Sequence, residues 1–66
     1  MLETKIRELR LAHGMDQATL AALVGVRRET IGRLEKGQYN PSLKLAMDIA
    51  KVFDRTVEEV FHFREE

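Results

Sequence analysis

Leu20, Leu23 and Val24 stand at i, i+3 and i+4, and Ile31 and Leu34 repeat the three-residue step beyond a break at Gly25. Such spacing gathers apolar side chains on one face of each of two short helices. Val26 sits in the turn and plugs the junction between them. Gly25 ends the first helix, because the left-handed C′ conformation costs glycine little and a β-branched residue a good deal. Ala21 is small where two helices crossing at roughly 90–120° come closest. With Ile31 and Leu34 turned inward, Arg27, Arg28, Glu29, Gly32, Arg33 and Lys36 fall on the opposite side.

The flanking pattern supplies further elements. Residues 3–13 read as a first helix, with Ile6 and Leu9 on one face and Leu2 continuing the line a turn earlier. His13 in its last turn and Gly14 after it form a stop signal. Asp16 suits the N-cap of the second helix, and Met15 can pack back as a staple. Arg27 stands where the third helix would favour Ser or Thr, at a cost of about 1 kcal/mol. Gly37 stops that helix and Gln38-Tyr39-Asn40-Pro41 turns the chain. Ser42 then caps a fourth helix running to about Phe53, with Leu43, Ala46, Met47, Ile49, Ala50 and Phe53 as its apolar stripe. Asp54 and Arg55 break it. Thr56 with Glu59 makes a capping box for a fifth helix, Val57 to Phe61. Phe61-His62-Phe63-Arg64 alternates at period two, the mark of a short strand. Residues 17–37 therefore read as a helix-turn-helix whose second helix is shaped to enter a major groove.

Length changes this picture in one respect. Sixty-six residues make one domain, 1–66, and a chain so short buries only about 60% of its unfolded surface. Disulfides, a metal or a partner chain usually make up the deficit. There is no cysteine, and His13 and His62 are too far apart to suggest a metal site by spacing. A partner chain is the remaining device. No apolar run approaches the roughly 18–20 residues of a membrane span, and the start of the chain is no signal peptide, so a cytoplasmic location is expected.

Net charge is zero, yet its distribution is uneven. Residues 27–44 carry five cations (Arg27, Arg28, Arg33, Lys36, Lys44) against Glu29 and Glu35, while residues 45–66 carry three cations against six carboxylates. The basic surplus lies on the proposed reading helix and the loop after it, where phosphates would be. The acidic C-terminal part would discourage DNA from the wrong face.

Gln17, Leu20, Ala21, Gly25, Val26, Thr30, Ile31, Arg33, Glu35 and Gly37, followed by Tyr39-Asn40-Pro41-Ser42-Leu43, resemble the lambda-repressor-like, Cro/cI-type (Xre) helix-turn-helix family. Ile6-Arg7-Glu8-Leu9-Arg10 is similar to that family's first helix, so the resemblance covers essentially the whole chain. It implies an all-α, five-helix domain, here with a short C-terminal strand, that binds operator DNA as a homodimer. It implies that Arg28, Glu29, Gly32 and Arg33 face base edges and that Gln17, Lys36, Asn40 and Lys44 approach phosphates. It further implies an ion pair between Arg10 and Glu35. The chain departs from the family at Arg27 and Gly32, usually serine, and at Glu29, often glutamine. The target sequence is thus not transferable from a relative.

Several residues carry two readings. Arg33 can grip a guanine bidentately, worth about 1–3 kcal/mol of discrimination, or form a solvated i, i+4 pair with Glu29 worth roughly 0.3–0.5 kcal/mol. Arg28 can reach base or phosphate, and Arg27 adds a cation near the duplex backbone. Glu29 can accept from a cytosine amino group or repel a misplaced phosphate. Gly32 either admits close approach to the groove wall or reflects drift. Gln17 is suited to a phosphate by its amide and the helix dipole, or is a surface glutamine. Leu2, Met47, Val60, Phe61 and Phe63 gather as a dimer surface, with 56–66 as the dimerisation region, or as a satellite core of one chain. Ser42 is the sole serine and serves as a cap; Glu58-Glu59 and Glu65-Glu66 read as capping and solvated tail, not as an acid/base pair. The expectation is a non-enzymatic, cofactor-free, sequence-specific regulator of transcription, a repressor on double-stranded DNA with no small-molecule ligand. An antitoxin or adaptor acting through protein contacts is the alternative.

Overall fold

Three side chains set the helix starts, as their spacing requires. Asp16 Oδ1 accepts the Thr19 N–H at 2.7 Å and Ser42 Oγ accepts the Leu45 N–H at 3.1 Å. Thr56 Oγ1 accepts the Glu59 N–H at 3.2 Å while Glu59 Oε1 accepts the Thr56 N–H at 2.9 Å, closing a reciprocal capping box. The computed structural model describes residues 1–65; Glu66, the end of the expected 56–66 region, lies outside the described residues. The order of elements is β1 (Leu2–Thr4), α1 (Ile6–Ala12), α2 (Gln17–Val24), α3 (Arg28–Glu35), α4 (Leu43–Val52), α5 (Val57–Val60) and β2 (Phe61–Phe63).

The helices enclose one apolar cluster. Ile6, Leu20, Ile31, Leu34, Ile49 and Val60 are wholly buried in it, with Leu45, Ala46, Ala50 and Phe53 from α4 and its C-cap. Met15, Val24, Val26 and Leu9 pack against its edge. Ala21 on α2 is buried, and Gly25 ends α2 with a positive φ of 73°. The Val26 N–H donates to the Ala21 carbonyl at 3.0 Å, which tightens the turn between the two helices.

The first residues behave differently from expectation. Residues 2–4 are not the start of a helix; they form β1, paired antiparallel with β2 in the register Leu2↔Phe63, Glu3↔His62 and Thr4↔Phe61. Leu2, Ile6 and Leu9 satisfy helical spacing by coincidence, and the strand pairing wins because it buries Leu2 and satisfies both backbones. Mutual bonds between Met1 and Arg64 lengthen the ladder: the Met1 amine donates to the Arg64 carbonyl at 3.0 Å and the Arg64 N–H to the Met1 carbonyl at 2.7 Å. Within β1 the Leu2 carbonyl rests under Gly37, where any Cβ would collide with it and where φ is +70°. Glycine there is required twice over.

Other positions differ as well. Leu23 and Leu43 were expected on buried faces but are 60% and 73% exposed; Leu45, absent from the expected stripe, is buried instead. The register of α4 turns Leu45, Ala46, Ile49 and Ala50 inward, so Leu43 and Met47 point away. The fifth helix stops at Val60 because Phe61 already has extended angles, φ −125° and ψ 137°.

Candidate nucleic-acid interface

With Ile31 and Leu34 held at zero exposure, α3 has only one face left to offer. Arg28, Glu29, Arg33 and Lys36 lie on it, exposed, with Arg27 at the N-cap. Arg27 has extended angles (φ −80°, ψ 153°) and gives no side-chain cap bond, so no side-chain cap competes for the first-turn N–H groups. The positive end of the helix dipole adds to the two arginines there. Arg28 Nη2 lies 3.9 Å from Glu29 Oε1, a solvated contact worth little. Arg33 forms no ion pair among the described residues, so the Glu29–Arg33 pairing weighed for it is not made. Lys36 and Asn40 are exposed. Lys44 Nζ sits 2.7 Å from Asp48 Oδ2, an i, i+4 pair that holds it loosely at the surface.

Behind this face lies a buried polar link between helices. Arg10 Nε donates to Glu35 Oε2 at 2.8 Å, Nη2 to Glu35 Oε1 at 3.3 Å and Nη1 to the Met15 carbonyl at 2.9 Å. The hydrogen bond to Glu35 raises the Arg10 pKa above its ordinary value, against the opposing effect of burial. Glu35 also accepts from Gln17 Nε2 at 3.0 Å. The end of α3 is thereby tied to α1 and to the start of α2. Gln17 is half-buried and bonded through Nε2 to Glu35, which leaves its second amide N–H for another contact. Its amide covers Gly32, where an added Cβ would meet Gln17 Nε2 at 3.7 Å, ordinary contact distance. Gly32 therefore lies partly under a side chain of its own chain rather than facing open groove. No signal along the chain announces the Gln17–Glu35 bond, since the two residues are 18 positions apart.

The five residues expected at a dimer surface separate into two groups. Leu2, Val60 and Phe61 are taken up by the protein's own core and offer nothing to a second chain; burial of the terminal strands and α5 against the helices uses them. Met47 and Phe63 remain, 55% and 68% exposed. Among the described residues no cluster of His, Asp and Glu could hold a metal ion, and no helix is long and apolar enough to cross a membrane.

The geometry has counterparts among known proteins. A helix-turn-helix family model matches residues 6–60. An uncharacterized HTH-type transcriptional regulator of Archaeoglobus fulgidus is 57% identical over 65 residues, covering 98% of this chain and 93% of that protein. The uncharacterized HTH-type transcriptional regulator YgzD of Bacillus subtilis is 45% identical, with 98% of both chains covered. The crystal structure of the restriction-modification controller protein C.AhdI from Aeromonas hydrophila superposes with a TM-score of 0.75 at 42% identity over 83% of each chain. The match spans every helix, and with the outward cationic face of α3 it places the chain in the Cro/cI-type helix-turn-helix family of DNA-binding transcriptional regulators.

Proposed function

We propose that the protein is a sequence-specific repressor that binds a near-palindromic operator as a homodimer, inside the cell, with α3 of each protomer in a major groove. The observation that carries this reading is the pairing of two fully buried residues, Ile31 and Leu34, with an opposite face of α3 on which Arg33 and Lys36 have no ionic partner among the described residues. Arg28, Glu29 and Arg33 read base edges; Arg27, Lys36, Asn40 and Lys44 hold phosphates. Gln17 approaches a phosphate with the amide N–H that Glu35 leaves unused. Two copies on one operator set their reading helices roughly 34 Å apart, one turn of duplex.

The test compares DNA selected from a random pool with unselected DNA across salt. Specific binding tighter by roughly 10³ or more, with a steep salt slope, is the expected result. Arg33→Ala is expected to lose discrimination at one base pair per half-site, costing about 1–3 kcal/mol there. Lys36→Ala weakens all sequences alike and lowers the salt slope by about one. Equal losses for both variants on selected and random DNA would refute the division of roles, and indifference to DNA at low salt would refute the function.

A further inference from the structure

We infer that Gln17 is a specificity-determining residue: its side-chain carbonyl reads an exocyclic amino group of adenine or cytosine in the major groove, in the place that Gly32 leaves empty on α3. The contact rests on the DNA-binding function proposed above and adds to it a base reader carried by α2 instead of α3. Arg28, Gly32 and Lys36 follow one another at i, i+4 and i+8, so they form one stripe along the helix. Arg28 and Lys36 are exposed, and Gly32 between them is half-buried although it has no side chain. Its cover is the Gln17 amide: a Cβ at Gly32 would meet Nε2 at 3.7 Å and Oε1 at 3.9 Å. The near-equal distances set both ends of the amide beside α3, at the point where a side chain of residue 32 would begin.

Glu35 decides which way the amide faces. A carboxylate offers only acceptors, so the group turned towards it is the NH2. Nε2 donates to Glu35 Oε1 at 3.0 Å, and the same carboxylate accepts from Arg10 at 2.8 and 3.3 Å, which fixes it in turn. The carbonyl oxygen is left at the other end of the amide. It accepts no hydrogen bond among the described residues, and it is not sealed from solvent: among those residues the buried side-chain atom without a partner is Thr4 Oγ1. A phosphate oxygen cannot satisfy it, because both are acceptors. The donors that the major groove presents are the N6 amino group of adenine and the N4 amino group of cytosine. Guanine and thymine offer only acceptors and a methyl group at that edge, so either base would leave the carbonyl unpaired. The second Nε2–H stays free for the phosphate.

Operators selected from a random pool by wild type and by Gln17→Met test the assignment, with circular dichroism to verify that the variant folds. Methionine keeps the length of the side chain over Gly32 and removes its hydrogen-bonding groups. The variant is expected to lose a preference for adenine or cytosine at one position per half-site, by roughly three- to tenfold. That position is separate from the one that Arg33→Ala affects. Replacing the base there by an analogue without the amino group, purine for adenine or pyrimidin-2-one for cytosine, is expected to weaken wild type by the same factor and to leave Gln17→Met unchanged. The analogue with this effect names the base. A uniform loss over all sequences for Gln17→Met, with wild type indifferent to both analogues, overturns the base contact while the DNA-binding function stands. A wild type that binds selected and random DNA alike overturns the function, and this contact with it.

Discussion

Gly32 lies within α3, where glycine is about 1 kcal/mol less favourable than alanine. Its φ is not in the left-handed region, and the space above it admits a methyl group against Gln17 without collision. Gly32→Ala is therefore expected to raise stability by up to about 1 kcal/mol, seen as a midpoint increase of roughly 4–8 °C in a thermal melt. Unchanged operator affinity would show that the Gln17 cover, rather than contact with DNA, determines what this position tolerates; a selective loss would show that the duplex approaches it closely. The neighbouring residues were legible from the chain because their placement is local. Ile31 and Leu34 go inward as their spacing demands, and Arg28 and Arg33 come out with them. Gln17 was not legible to the same degree. Its partner Glu35 comes from another helix, and a spacing rule sees only one element at a time.

At the level of elements, the helix starts were the most readable features, since a cap and its acceptor lie three residues apart. Asp16, Ser42 and Thr56 all act where their positions imply. Two of these caps are ionisable devices. Hydrogen bonds from the hydroxyl and the backbone N–H of Thr19 hold the Asp16 carboxyl below its ordinary range. The Thr56 N–H, then its hydroxyl, lowers Glu59 likewise. A carboxylate with a lowered folded pKa stabilises the fold fully above its unfolded value and loses that contribution as pH falls through the folded one. Unfolding by denaturant is thus expected to show stability level above about pH 5, past the ordinary carboxylate range, and falling below about pH 4. Asp16→Asn and Thr56→Ala should each flatten that decline; an unaltered profile in both would separate the caps from acid sensitivity. β1 was the element least readable in advance. Three residues ahead of a helix carry no periodicity of their own, and the strand exists only because Phe61–Phe63 lies alongside.

Across the molecule as a whole, Leu2 joins regions that the helical pattern leaves unconnected. Its side chain is buried in the common core and its carbonyl sits against Gly37, just past the end of α3. Leu2→Ala is expected to destabilise the protein by about 2–5 kcal/mol, the usual loss for a buried leucine, measured by urea unfolding. For a chain of this size that is a large share of the total. A loss below about 0.5 kcal/mol, the range of surface substitutions, would mean that the N-terminal strand is decoration. The Arg10–Glu35–Gln17 link reaches α3 from another direction, so the end of the helix is held both by side-chain hydrogen bonds and by the β1 backbone packed against Gly37.

The ladder between the two extremities also sets an order of events during synthesis. Met1 bonds to Arg64 across a separation of 63 positions, and so long a loop must close before the contact contributes anything. The nascent chain can assemble α1 to α4 as they emerge, yet β1 has no strand to pair with until Phe61–Phe63 has left the ribosome. The seat beneath Gly37 waits for β2, and a polypeptide lacking Phe61–Phe63 would carry its arginines on a helix whose lower end is unfastened.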